Sequence, residues 1–332
     1  MVTGNDLQDG DSRATRLDMA LRLGLAALAG VLLWYLFCLH GNTEDVAARG
    51  RSAIRWMVER WNGAGGDLSH GWLIPIVSGF VIWRMRAALL TEVRRPSLAG
   101  IVFVASAIVL HLVGMRIQQT RLSLVALVAL SWSIPLLLWG WGVARRLVFP
   151  CAYLLFCIPY SFIDNITLPL RLVATGLGAG ILNGCGVMVD SVGTSIYFPN
   201  MGVALDVADP CSGLRYLLAM LALTAAYGYF QLTSNWQRWI LFACAVPLAV
   251  IGNVARILVI AIIAGLWGQN TAMGVYHTYS GYIVFAVAIL LMLAVSRLLA
   301  RIWKAADAAP GTATDKAGAV WVGRGPPAPP SG

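Results

Sequence analysis

The chain has 332 residues, of which 59% are hydrophobic and only 12% charged, with a net charge of +9 and a mean hydropathy of +0.74. Soluble domains carry about 25% charged residues, and a water-soluble fold of this size has nowhere to hide so much apolar surface. That excludes a cytosolic globular enzyme, a disordered chain and a nucleic-acid binder. The expected fold is an all-α polytopic membrane protein with about eight transmembrane helices, a small extracytoplasmic β-hairpin and amphipathic helices.

Residues 1–19 read as a polar cytoplasmic segment. The first apolar run, 20–39, lacks a small-residue cleavage site and reads as a retained anchor, not a cleavable signal. Residues 43–62 interleave Val46, Ile54, Trp56, Met57, Val58 and Trp61 with charges, as an amphipathic helix on the membrane interface would. A span needs about 20 apolar residues. Further spans are expected at 71–90, 98–115, 122–143 and 147–163, the last short and carrying Pro150 and Pro159. Thr167 to Gly186 is apolar but interrupted by five glycines, too loose for a span.

Beyond it, Thr194–Phe198 and the alternating Val203-Ala204-Leu205-Asp206 flank Pro199-Asn200-Met201-Gly202, the pattern of a β-hairpin. Three spans complete the bundle at 211–230, 239–266 and 279–299. Together they make a transmembrane domain over 20–304, followed by an Ala-, Gly- and Pro-rich tail, 305–332, expected to be disordered.

Loop charges orient this bundle. With the N-terminus cytoplasmic, Arg13, Arg16, Arg22, Arg84, Arg86, Arg94, Arg95, Arg145, Arg146 and Arg238 fall on the inner side. Arg297, Arg301, Lys304, Lys316 and Arg324 join them, which puts both termini inside. The six cysteines are too few for a disulfide scaffold, and no Cys/His spacing suggests zinc, so no metal or other cofactor is expected.

Three residues then stand out because the membrane holds them at a cost. Arg256 lies in the middle of the seventh span, three residues after Asn253 on the same helix face, and a charge that deep needs a solvating partner or a wet cavity. Cys211 follows Asp209 and Pro210 at the mouth of the sixth span. Proline suits a first helical turn, where free N–H groups and the dipole favour a thiolate. Ser212 and Gly213 leave room beside it for a substrate backbone.

His277 stands at the mouth of the eighth span, on the same side. Thiol, imidazole and guanidinium facing one compartment suit acyl transfer through a covalent thioester. His70 has two readings, lining the same cavity or capping a helix. His111, inside the third span, reads as a buried, hydrogen-bonded core residue. Two other functions share these residues: a non-enzymatic transporter or polysaccharide-export component binding an anion at Arg256, and a lipid acyltransferase.

The set resembles the exosortase/archaeosortase family of polytopic membrane cysteine transpeptidases. The resemblance is carried by Cys211-Ser212-Gly213 after a short β segment, Asn253-Val254-Ala255-Arg256 in the next span, and His277 before the last. Ser69-His70-Gly71, Phe149-Pro150 with Leu154-Leu155-Phe156 and Pro159, and Ile166-Thr167-Leu168-Pro169-Leu170 extend it over about residues 65–300. It implies Cys211 as nucleophile, Arg256 as its basic partner and His277 as proton shuttle. It also implies a location in a bacterial inner membrane with the site facing the periplasm. The implied partners are the lipid bilayer and exported proteins whose C-terminal sorting signal joins a Pro-Glu-Pro-like motif, a transmembrane helix and a basic cluster.

Overall fold

A computed structural model describes residues 4–41, 50–62, 69–160, 163–199, 203–206 and 217–308. Helices α1 (Gly4–Trp34), α2 (Ala53–Trp61), α3 (Leu73–Arg84), α4 (Arg86–Thr91), α5 (Ala99–Arg116), α6 (Thr120–Trp139) and α7 (Trp141–Tyr153) build the first part. Helices α8 (Ile163–Gly184), α9 (Leu217–Gln231), α10 (Asn235–Trp267) and α11 (Gln269–Ala308) build the second. Between α8 and α9 lie β1 (Asp190–Val192), β2 (Ser195–Phe198) and β3 (Val203–Asp206). The chain is an all-α multi-pass membrane protein with one small sheet.

Six helical stretches among the described residues are long and apolar enough to span: Leu17–Leu39, Ala99–Arg116, Thr120–Trp139, Asn165–Gly184, Asn235–Ala264 and Phe285–Lys304. Five of these answer expected spans. The remaining expectations become shorter pieces. The second span is split at Met85 into α3 and α4, and the fifth is α7 followed by a 3-10 turn over Leu154–Cys157. The sixth is described only from Leu217. Helix α1 begins at Gly4, ahead of its apolar stretch, and α11 runs to Ala308, while residues 309–332 lie outside the described part.

The largest correction is α8. Its glycines do not break it, and one of them, Gly178, lets it approach α10. A Cβ at Gly178 would stand 3.0 Å from Ile257, so glycine sets the spacing there. Small residues serve this purpose in membrane helices, where backbones pack closely and main-chain hydrogen bonds close within the helix. Leu170 and Ala174 share a cluster with Val246, Ala249, Val250 and Val254, while Ala179 and Leu182 meet Ile257, Ile260 and Ala261. Residue numbers rise together, so α8 and α10 run parallel.

The expected hairpin is present as β2 and β3, antiparallel, with Phe198 opposite Val203 and Ser195 opposite Asp206. The structure adds β1 on the other side of β2. Asp190-Ser191-Val192 is too short to alternate legibly, but Gly193, at φ +62, supplies the positive φ that a two-residue hairpin turn needs. Buried Ile196 and Phe198 seat the sheet on Ile257, Ile260 and Ala261 of α10.

The amphipathic stretch also differs from expectation. Only its second half is described, as α2, capped by Ser52, whose side chain accepts from the Arg55 N–H. Its apolar face does not lie against lipid. Trp56 and Trp61 are buried in one core with Phe37, Ile74, Tyr153 and Ile158. Trp61 Nε1 donates to the Cys157 carbonyl at 2.8 Å, and Ser78 donates to the Pro150 carbonyl at 2.8 Å.

Candidate active site

Arg256 and Asn253 lie one turn apart on α10, 2% and 0% exposed. They sit where two apolar clusters meet. Val254 belongs to the cluster that holds Leu217 and Ala174; Ile257 belongs to the one that holds the sheet. Both amide atoms of Asn253 lack a hydrogen-bond partner among the described residues. A buried amide left unpaired costs about 1–3 kcal/mol.

Two further polar groups sit close to this level, and the sequence reading missed them. Thr175 of α8 is fully buried, and neither its hydroxyl nor the Nε of Arg171, one turn earlier, has a hydrogen-bond partner among the described residues. Thr175 adjoins Ala174, which packs against Ala249, Val250 and Val254. The signal was an Arg and a Thr four residues apart in an apolar run; reading that run as a loop concealed it.

Asp209, Cys211, Ser212 and Gly213 lie outside the described residues. Their flanks are informative. Before them, the sheet rests on Ile257, Ile260 and Ala261; after them, Leu217 packs on Ala249, Val250 and Val254. Both anchors are on α10, one on each side of Arg256. His277 is part of α11, which begins at Gln269, so it lies two turns inside a helix and not in a loop before one. Gly268 alone joins α10 to α11, and its φ of +83 permits the reversal. Arg256 is twelve residues before that glycine and His277 nine after. In an antiparallel pair this separates their levels by about 4.5 Å of helix axis.

His70 belongs elsewhere. It is half-buried in the 3-10 turn Ser69–Trp72 and hydrogen-bonded to the Phe156 backbone, and burial lowers its pKa to about 4. Phe156 in turn meets α10 at Phe242, ring centroids 6.2 Å apart. That is fourteen residues before Arg256, or about 21 Å of axis. The structure therefore groups Asn253 and Arg256 with the flanks of the Cys211 segment, and His70 with the tryptophan core. His111 is buried as expected and packs against Phe37, ring centroids 4.6 Å apart and tilted by 47°, but its ring nitrogens have no partner among the described residues.

A family model for transmembrane exosortases matches residues 61–294, more than two thirds of the chain. No curated protein and no solved structure matches it. The matched stretch contains the paired α10 residues, both flanks of the 207–216 segment and the start of α11. By that match, over the helices just described, the chain belongs to the transmembrane exosortase family.

Proposed function

We propose that the chain is a membrane cysteine protease or transpeptidase that removes C-terminal sorting signals from exported proteins. The Cys211 thiolate attacks the scissile carbonyl, and the oxyanion of the tetrahedral intermediate is steadied by Arg256. The C–N bond then breaks, His277 gives its proton to the leaving amine, and a thioester to Cys211 remains. Water or an acceptor amine, losing a proton to His277, attacks the thioester and restores the thiolate. Ser212 and Gly213 give the substrate backbone access, and Asn253 orients the attacked group. Asp209 supports substrate binding, while His70 stays neutral and fixes the neighbouring core.

The observation that carries this reading is the buried Asn253–Arg256 pair, together with the register of the helices beside it. Gly228 of α9 faces Arg238 of α10. Eleven residues further along each helix, Leu217 meets Ala249. Leu217, six residues after Cys211, thus opens the described part of α9 beside the Asn253 turn of α10. Burying a guanidinium in a membrane protein costs a few kcal/mol, which a thiolate partner offsets.

The substrate's tail helix would lie against the bundle in a bacterial inner membrane. Its basic end would be cytoplasmic, as would both termini of this chain, and its scissile bond would be at the periplasmic face. The residue ranges 1–19, 20–304 and 305–332 then serve as cytoplasmic lead, catalytic membrane domain and cytoplasmic tail. The test is a reporter ending in a Pro-Glu-Pro motif, an apolar helix and a basic cluster, co-expressed with the chain. Wild type should release the tail and Cys211→Ser should not. Equal processing by both would remove the covalent mechanism and favour a non-enzymatic role for Arg256.

A further inference from the structure

The sheet has two edges, and the structure treats them differently. Valine 189, just before β1, has its N–H and C=O both engaged by the Asn183 side-chain amide, at 2.9 and 3.0 Å. Main-chain groups of one strand residue point to one side, and successive residues alternate. Val189 and Ser191 therefore point away from β2, while Asp190 and Val192 bond to Tyr197 and Ser195 across the hairpin. This matches the two-residue Gly193-Thr194 turn, whose flanking residues form a hydrogen-bonded pair.

Continuing the alternation, Ile196 and Phe198 bond to Leu205 and Val203 of β3. That leaves Ala204 and Asp206 with their N–H and C=O directed to the far edge. The β1 edge is three residues long and already closed at Val189. Strand β3 is the other edge of the sheet, and it carries neither proline nor lysine, the usual guards of an exposed edge.

Position gives this edge a role. The sheet stands on α10 one turn beyond Arg256, and Asp206 is five residues before Cys211, a reach of at most about 18 Å. A peptide bond can be attacked at its carbonyl only when that carbonyl is free of helical bonding, so the cleaved stretch must be extended. We infer that the extended segment of the exported protein at the cleavage site docks as a fourth strand on β3, bonded to the main chain of Ala204 and Asp206. This rests on the proposed proteolytic function and adds how the substrate is held. Main-chain pairing holds the segment irrespective of its side chains and leaves sequence choice to pockets on alternate residues.

The experiment uses the full chain in lipid nanodiscs and a synthetic peptide with a Pro-Glu-Pro segment, an apolar helix and a basic cluster. Ala204→Pro removes an outward N–H while keeping the bonds to β2, and should slow tail release at limiting peptide by tenfold or more. Ser191→Pro removes the outward N–H of the opposite edge and should stay within twofold of wild type. Backbone N-methylation, scanned along the non-proline residues around the motif, should slow release at every second position. Ala204→Pro releasing the tail at the wild-type rate, or N-methyl effects without a period of two, would overturn strand docking. Should Ala204→Pro fail to accumulate, the N-methyl scan on wild type decides alone. A wild type no more active than Cys211→Ser would instead overturn the proteolytic reading, and this inference with it.

Discussion

The tryptophan core under α2 and the surroundings of Arg256 on α10 are both buried, yet they hold polar groups of different kinds. In the first the buried polar side chains are neutral: Trp61 bonds to the Cys157 carbonyl and Ser78 to that of Pro150, while the Trp56 indole nitrogen and both His111 ring nitrogens have no partner among the described residues. Around α10, the Asn253 amide and the Thr175 hydroxyl are buried without partners among the described residues. The Arg256 guanidinium is buried with them, and a buried charge costs more than a buried neutral group. The difference points to the surroundings of Arg256, which hold a buried charge, as the candidate site.

Substitutions can break this contrast, and the largest effect belongs to the site. Arg256→Ala should lower reporter processing about 10²–10³-fold, the usual loss when one donor to a developing oxyanion is removed. The protein should still accumulate in the membrane, and Arg256→Lys should fall between. In the scaffold the signs reverse. Gly140 has φ +86, and a side chain there would collide with the Arg95 carbonyl, so Gly140→Ala should cost about 2 kcal/mol or more. Trp61→Phe loses the bond to Cys157 and should cost about 1.5–3 kcal/mol. Thermal unfolding in detergent would register both losses, with processing per folded molecule nearly unchanged.

Acid should act on the scaffold through His70. Its folded pKa, about 4, lies below the ordinary 6.5. The unfolded chain therefore binds the proton more readily between those values. The contribution is complete above about pH 6.5 and is lost as pH falls towards 4, by at most about 3 kcal/mol. Unfolding midpoints at pH 7.5 and 5 should converge in His70→Gln and differ in wild type. The smallest effect is a gain. Gly176 has open space around its Cβ position, so Gly176→Ala should stabilise α8 by up to about 1 kcal/mol in the same unfolding assay. A loss there would mean that α8 is not the packed helix described.

Much of this architecture can be read from residues alone, because apolar run length reports membrane helices directly. The expected spans at 20–39, 98–115, 122–143, 239–266 and 279–299 all answer to helices. What fails is wherever a local rule meets tertiary packing. Glycines that would loosen an isolated helix are carried within α8, and Gly178 lets it close on Ile257. The apolar face of α2, which lipid could equally have covered, is taken up by Phe37 and Tyr153. A three-residue β1 is too short to show a period. At the site, Arg256 and Asn253 were legible because burying them is expensive. Arg171 and Thr175 were not, since only their neighbours on α10 show where they sit.

The central claim is that one sulfur and one guanidinium share a pocket, and thiol reactivity measures it most directly. The rate of Cys211 alkylation by iodoacetamide should be followed against pH by peptide mass spectrometry, in wild type and in Arg256→Gln. The account predicts a Cys211 pKa well below about 8.5, the value of a free thiol, rising by a unit or more when the guanidinium is removed. A Cys211 that titrates as a free thiol, with the same profile in both proteins, would contradict it.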